Sequence, residues 1–317
     1  MIVKRADLEA RLADIEAQVT DPRAGVWGPN TLTWRLDRDL INFAGGGRAA
    51  LLQLAHPFVA QAIDDHSAAP RDPQTRFRRT FEQVFAMTFG DLDHAFSAAR
   101  RVHGVHARVG GRLRERAGAH ARGTRYAAND AAALFWVRAT LIDTVIVVHD
   151  RLGGGLTAAD KERYYQESKR GAALFGIPKS EIPPDYAAFR AYVRGRLADG
   201  TVAVTEAARA IANALLTPPT PALAPAMRLY RAVTAGLLPA SVRRDFGFRF
   251  GAAERLSFRA AAGALAAAHR VTPERALRAP AYGQAARRVG QDDGGLLARA
   301  VERALARLAF WPDVPTG

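Results

Sequence analysis

The segment Asp130 to Val148, DAAALFWVRATLIDTVIVV, constrains the fold more than any other stretch of the chain. It is long and apolar enough to raise the question of a membrane span, which takes about 20 apolar residues. Arg138 and Asp143 interrupt it near its middle, and each would be costly in hydrocarbon. A helix buried in a protein core is the better reading. Such a helix needs a large apolar wrapping. The 317 residues are 49% hydrophobic, enough for one large domain or two closely packed ones.

The rest of the chain is rich in Ala, Arg and Leu, with apolar residues spaced three and four apart, which predicts an all-α fold: a single large helical domain. RAALLQLAHPFVAQAIDDH, residues 48 to 66, carries an apolar stripe at Leu51, Leu52, Ala55, Val59 and Ile63. Pro57 falls inside that stripe, so the helix either kinks there or a second one starts. The glycines at 45 to 47 match no phosphate-binding fingerprint, and close helix packing or a tight turn explains them. A helix is expected from Thr75 to Phe89, stopped by Gly90. Asp91 can cap the next, which runs through His106 to Val109 and ends at Gly110 and Gly111. The polar residues 112 to 125 read as a mobile loop, and Thr157 as the N-cap of a helix carrying Tyr164 and Tyr165. TPPTPALAP, residues 217 to 225, is the strongest punctuation. Three parts result: an N-terminal helix and loop (1–32), a helical core (33–216), and a proline-rich connection leading to an arginine-rich C-terminal part packed on that core (217–317).

Cysteine is absent, which removes disulfides, zinc ribbons, iron–sulfur clusters and thiolate-ligated haem. Any bound metal must use histidine or oxygen. The formal charge of +14 could attract nucleic acid, anionic lipid or carboxylates. The arginines are scattered along helical patterns without interleaved aromatics, so no specific nucleic-acid partner is expected. The N-terminal stretch lacks the apolar core of a signal peptide, and a cytoplasmic protein without a transmembrane segment is the expectation.

RRVHGVHARVGG, residues 100 to 111, places His103 and His106 on one helical face. A non-haem metal would need a third ligand, for which His56 or His66 are candidates. A haem needs less: one imidazole, an apolar slot between helices and cations near the propionates. Val102, Val105 and Val109 lie near His106, and the preceding helix offers Phe77, Phe81, Val84 and Phe85. RFRRTFEQVF puts Arg76, Arg79 and Thr80 on one face, suited to propionates or polarised dioxygen, or else to solvent. Each histidine could equally be a hydrogen-bonded packing residue.

Taken in order, GGGRAALLQLAHPFVAQAIDDHS, RFRRT, FG, RRVHGVHARVGG, LFWVRATLIDTV and GLLPASVRRDFGF resemble the MpaB-type oxygenase family, which includes the rubber oxygenases. The similarity runs from about Trp34 to about Phe250. It implies an all-helical fold holding haem b between helices, with a histidine on the iron and a reaction of dioxygen with an apolar, isoprenoid or alkene-containing substrate. The family's His-x-x-Val-x-Gly element falls on His106, Val109 and Gly111, which makes His106 the implied iron ligand and His103 its neighbour at the cofactor. Arg76 and Thr80 are implied near the haem and its distal pocket.

Two departures accompany the resemblance. Arg79 stands where the rubber oxygenases carry a lysine able to cap the iron; arginine stays protonated and is a poor ligand. A distal glutamate base has no counterpart in AIDDHS, where Asp64, with Asp65 and His66, is a candidate by proximity. The expected catalytic set is thus Thr80, Arg79 and Asp64. A non-catalytic haem carrier or sensor, and a histidine-ligated non-haem metal enzyme, are the alternatives.

Overall fold

Capping chemistry punctuates the chain wherever the sequence supplies an Asp, Thr or His before an apolar run. The computed structural model describes residues 1–67 and 73–291, with 295–296, 299–300 and 304, and the side chains of 73–79 lie outside the described residues. Helix α1 (Arg5–Glu16) opens where the Lys4 amide donates to Asp7 at 2.8 Å. Thr31 accepts from the Trp34 amide to start α2 (Leu32–Asp37), and a 3-10 segment, Leu40–Gly45, leads into α3 (Gly46–Leu54). The kink expected at Pro57 is a full break. Helix α4 (Pro57–His66) starts anew with proline at its first position and His56 as cap, its Nδ1 accepting the Phe58 N–H at 3.3 Å.

Helix α5 (Pro73–Phe89) is followed after Gly90 by α6 (Leu92–His106), capped by Asp91, which accepts from the His94 amide at 2.8 Å. The predicted cap holds, but α6 stops at His106, short of Val109. The glycines beyond it form strand β1 (Gly110–Arg112), which pairs antiparallel with β2 (Arg125–Ala127), Gly111 opposite Tyr126. The expected mobile loop is therefore a hairpin, closed inside by an Ala117–His120 bridge.

Helix α7 (Ala131–Leu152) is the segment the sequence singled out. By length and composition it could cross a membrane, yet 67% of its most apolar stretch is buried inside the protein. Helices α8 (Ala158–Ala173), α9 (Tyr186–Ala198) and α10 (Glu206–Leu215) follow, capped by Thr157, Asp185 and Thr205. Beyond the proline-rich stretch come α11 (Ala224–Leu237), α12 (Ala240–Asp245), α13 (Ala252–Val271) and α14 (Pro280–Arg288). The protein is all-α apart from the one hairpin among the described residues.

Helix α7 feeds three of the four apolar clusters. Its N-terminal two-thirds (Phe135, Ile142, Ile146) packs with Tyr164, Tyr165 and Phe189 of α8 and α9. Trp136 turns to Leu51, Leu52 and Ile211 of α3 and α10, donating its indole N–H to the Leu52 carbonyl at 2.9 Å. Val148 and Leu152 meet Val233 and Leu237 of α11 and Ala261 of α13. The fourth cluster joins α1, α5, α6 and α14 around Trp34 and Phe89. The glycines at 45 to 47 serve close packing, as expected: a Cβ at Gly45 would lie 2.5 Å from Val148 Cγ2.

Asp143 is met inside the protein, whereas the Nε of Arg138 is buried without a hydrogen-bond partner among the described residues. Asp143 and Arg48 side chains are each 3% exposed. Arg48 donates to Asp143, to Thr144 Oγ1 at 2.6 Å and to the Leu237 carbonyl at 3.0 Å, while Arg190 takes the other Asp143 oxygen. Arg138 lies beside Asp37, whose Oδ1 accepts the Tyr164 hydroxyl proton at 2.8 Å. Desolvation pushes the Asp37 carboxyl up from 3.8 to about 6, against the opposing pull of Arg138 and Tyr164.

Removing one member of a buried pair strands the other. Asp143→Ala should cost about 3–5 kcal/mol in urea unfolding, since it leaves Arg48 charged and uncompensated. For Asp37 the folded state holds its proton more tightly than the unfolded chain. Its contribution is therefore present below about pH 4 and lost as pH rises through about 6, a loss of about 3 kcal/mol at most. Thermal denaturation across that window should show a decline in the wild type that is flattened in Asp37→Asn.

Candidate functional site

The connection between α5 and α6 is two residues, so the helices return antiparallel and share one cluster through Phe81, Phe85, Phe96 and Val102. This return brings the last turn of α6, with His106, alongside the first turns of α5. Those turns carry Arg76, Arg79 and Thr80. The side chains of Arg76 and Arg79 lie outside the described residues, and Thr80 is exposed on α5. His106 is half-buried with its Nδ1 out of solvent. Behind this region Phe43 stacks on Phe81 at 5.4 Å, and Phe81 lies 5.6 Å from Phe85.

His103 has a different neighbourhood. Its Nε2 is 3.2 Å from the Val3 carbonyl, and its own carbonyl accepts from Asn129 at 3.2 Å. The residue thus ties α6 to the N-terminal segment and to the loop entering α7. Three residues apart on a helix, the two imidazoles diverge by about 60° around the axis, enough for separate partners.

Asp64, Asp65 and His66, at the end of α4, face the hairpin. Asp64 accepts from Arg114 at 2.8 Å. Asp65 accepts from Arg114, from Gln61 at 3.0 Å and from the Tyr126 hydroxyl at 2.5 Å. Burial, reinforced by the Asp65 charge, drives the Tyr126 phenol well above its ordinary value, so it stays a donor. His66 Nε2 lies 3.0 Å from the Gly110 carbonyl. Both carboxylates expected near the α5 face are therefore engaged by the hairpin.

His56 is 3% exposed, and its pKa is pushed down to about 4, chiefly by desolvation and then by the neighbouring His120. His120 packs on Phe58, ring centroids 4.7 Å apart. Being neutral lets His56 Nδ1 accept as the cap of α4, which a doubly protonated ring could not do. Sequence reading named His56 as a possible metal ligand and missed this role, although histidine directly before proline at a helix start was the available signal. The His56–His120 and Asp65–Tyr126 pairs join residues about sixty positions apart and have no local signal.

His56 and His66 thus sit at opposite ends of α4, and His103 on α6. Among the described residues no group of three or more histidine and acidic side chains is placed to hold a metal ion. The set does not support the three-ligand metal reading. What α5 and α6 share among the described side chains is an aromatic wall through Phe81 and Phe85, with the His106 Nδ1 out of solvent at the end of α6.

A family model described as ER-bound oxygenase mpaB/B'/Rubber oxygenase, catalytic domain, matches residues 34–267. That span begins at the buried Trp34, includes α5, α6 and α7, and ends within α13. Comparison with curated proteins and with solved structures returns no match. An oxygenase acts on a substrate together with dioxygen, and the all-α architecture described above is the frame on which this chain would do so. With most of its length covered, the chain belongs to the family of mpaB and rubber oxygenase catalytic domains.

Proposed function

We propose that this protein is a haem b-dependent oxygenase of the cytoplasm, using dioxygen on a small apolar substrate, isoprenoid or alkene-containing, with His106 as the residue that would hold the iron. The observation that supports it most is the placement of His106: inward at the end of α6, beside the first turns of α5, in a chain of an oxygenase family. The haem would supply dioxygen activation. Each remaining task falls to the chain's own residues.

His106 would offer an imidazole nitrogen whose position is set by α6. That helix is fixed at its start by the Asp91 cap and near its end by His103 against Val3. Arg76 and Arg79 would supply positive charge for the carboxylates of the bound group. Arg79, permanently protonated, would be a poor ligand to the iron, unlike a lysine. The Thr80 hydroxyl is a donor on the same helix face, and the Phe43–Phe81–Phe85 wall suits an apolar substrate and excludes water.

Asp64 is the proposed base, and it forms an ion pair with Arg114 at 2.8 Å. Proton abstraction by Asp64 requires Arg114 to yield. That engagement favours a second reading, in which the chain binds haem as a carrier or sensor without turning substrate over.

The test is spectroscopic first. The purified full chain reconstituted with hemin should show a Soret band, and His106→Ala should lose it. A wild type without the band removes haem from the reading, and a variant that keeps it removes His106 from the iron. With candidate alkenes, the wild type should consume dioxygen. Thr80→Ala and Asp64→Asn should keep the Soret band while turnover falls about 10²-fold or more. A Soret band without dioxygen consumption supports the carrier instead.

A further inference from the structure

Two surface cavities gather arginines, and they differ in how those charges are met. The larger, about 260 Å³, lies around Thr31, Arg35, Arg38, Arg163 and Tyr282. Each of its arginines has a carboxylate: Arg35 faces Asp160 at 3.9 Å, Arg163 binds Glu167 at 2.9 Å, and Arg38 binds Glu274. That cavity is neutralised from within.

The second, about 100 Å³, sits between α10, the middle of α11 at Arg231, and the turn after α12. Arg209 and Arg231 line it with Asn213, over a floor of Leu216, Phe246 and Phe248, and no carboxylate lines it. Arg209 donates its Nε–H to the Asp245 carbonyl at 3.2 Å, and Arg231 reaches the Leu216 carbonyl at 3.5 Å while leaning over the Phe248 ring at 5.7 Å. Neither forms an ion pair among the described residues. Two like charges thus border one small space, each with N–H groups left for another partner.

We propose that this cavity is a binding site for a compact oxyanion, a phosphate or carboxylate head group, held by Arg209 and Arg231 with the Asn213 amide. Guanidinium forks match the planar edge of a carboxylate and the oxygens of a phosphate, and an anion between them cancels their mutual repulsion. The buried Leu216 and the two phenylalanines keep water from one side, which strengthens the charge interaction. The volume sets the size class. Pockets for drug-sized ligands span about 300–1,000 Å³, so this one admits a head group and leaves any longer tail outside. No lining residue belongs to α5 or α6, so the site is separate from the His106 region and does not depend on its assignment.

Isothermal titration of the full chain at constant ionic strength tests the proposal, with inorganic phosphate, sodium acetate and sodium chloride as three arms. Saturable one-site binding of phosphate or acetate, absent with chloride, is expected, and the preferred arm tells which head group the site takes. Arg231→Gln and Arg209→Gln should each weaken binding about tenfold or more. Arg255→Gln, an exposed arginine of α13 outside the cavity, should leave it unchanged. All three positions are exposed, and circular dichroism checks that the variants are folded. Absence of saturable binding with both oxyanions, or equal binding in wild type and both cavity variants, overturns the proposal.

Discussion

The buried Asp143 is the constraint around which the helices are arranged. A carboxylate in the middle of a 22-residue apolar helix has to be met by protein, and Arg48 and Arg190 meet it from two sides. Such a pair contributes little net stability compared with apolar residues of the same shape, because both ions lose their water. Its effect is on register. The Arg48 guanidinium bonds Asp143, Thr144 and the Leu237 carbonyl together, so α3, α7 and the end of α11 are fixed by one side chain. Gly45 then lets the start of α3 approach Val148 closely, which a larger residue at that position would prevent.

With α7 fixed, other elements find their places from it. Trp136 anchors α3 on one face, Phe135 packs toward α9 on another, and the far end receives α11 and α13. The α5–α6 pair belongs to a different cluster, with α1 and α14, and meets the α7 side through backbone and polar ties at the chain start: Val3 bonds both Asn129 and His103. The N-terminal residues thus couple the helix carrying His106 to the central one. The arginine-rich C-terminal helices are part of the same body, since Tyr282 of α14 packs edge-on to Trp34 at 5.8 Å.

Much of this was legible because it is local. The α7 core helix, the caps at Asp91 and Thr157, and the close packing of the glycines follow from patterns within a few residues, where propensity and capping act. The hairpin was not legible. Its strands are three residues each, shorter than a periodicity of two can reveal, and polar enough to read as a loop. The fate of Asp64 and Asp65 was hidden for another reason: both are decided by Arg114 and Tyr126, some fifty and sixty residues away, brought near when the hairpin folds onto α4. Sequence proximity to the α5 arginines pointed one way, and long-range pairing directed the carboxylates another.

The two histidines of RRVHGVH show how a site can be sorted by what its neighbours already do. Spacing alone made them equivalent, since both lie on one face of α6, and only the family resemblance ranked them. The structure distinguishes them by their partners. His103 faces a backbone carbonyl at 3.2 Å, and a nitrogen engaged with a carbonyl is unavailable to iron unless that contact is given up. The same contact pins α6 one turn before His106, which limits the directions in which the second ring can point. His103 thus serves as a tie between α6 and the N-terminal segment, one turn before His106.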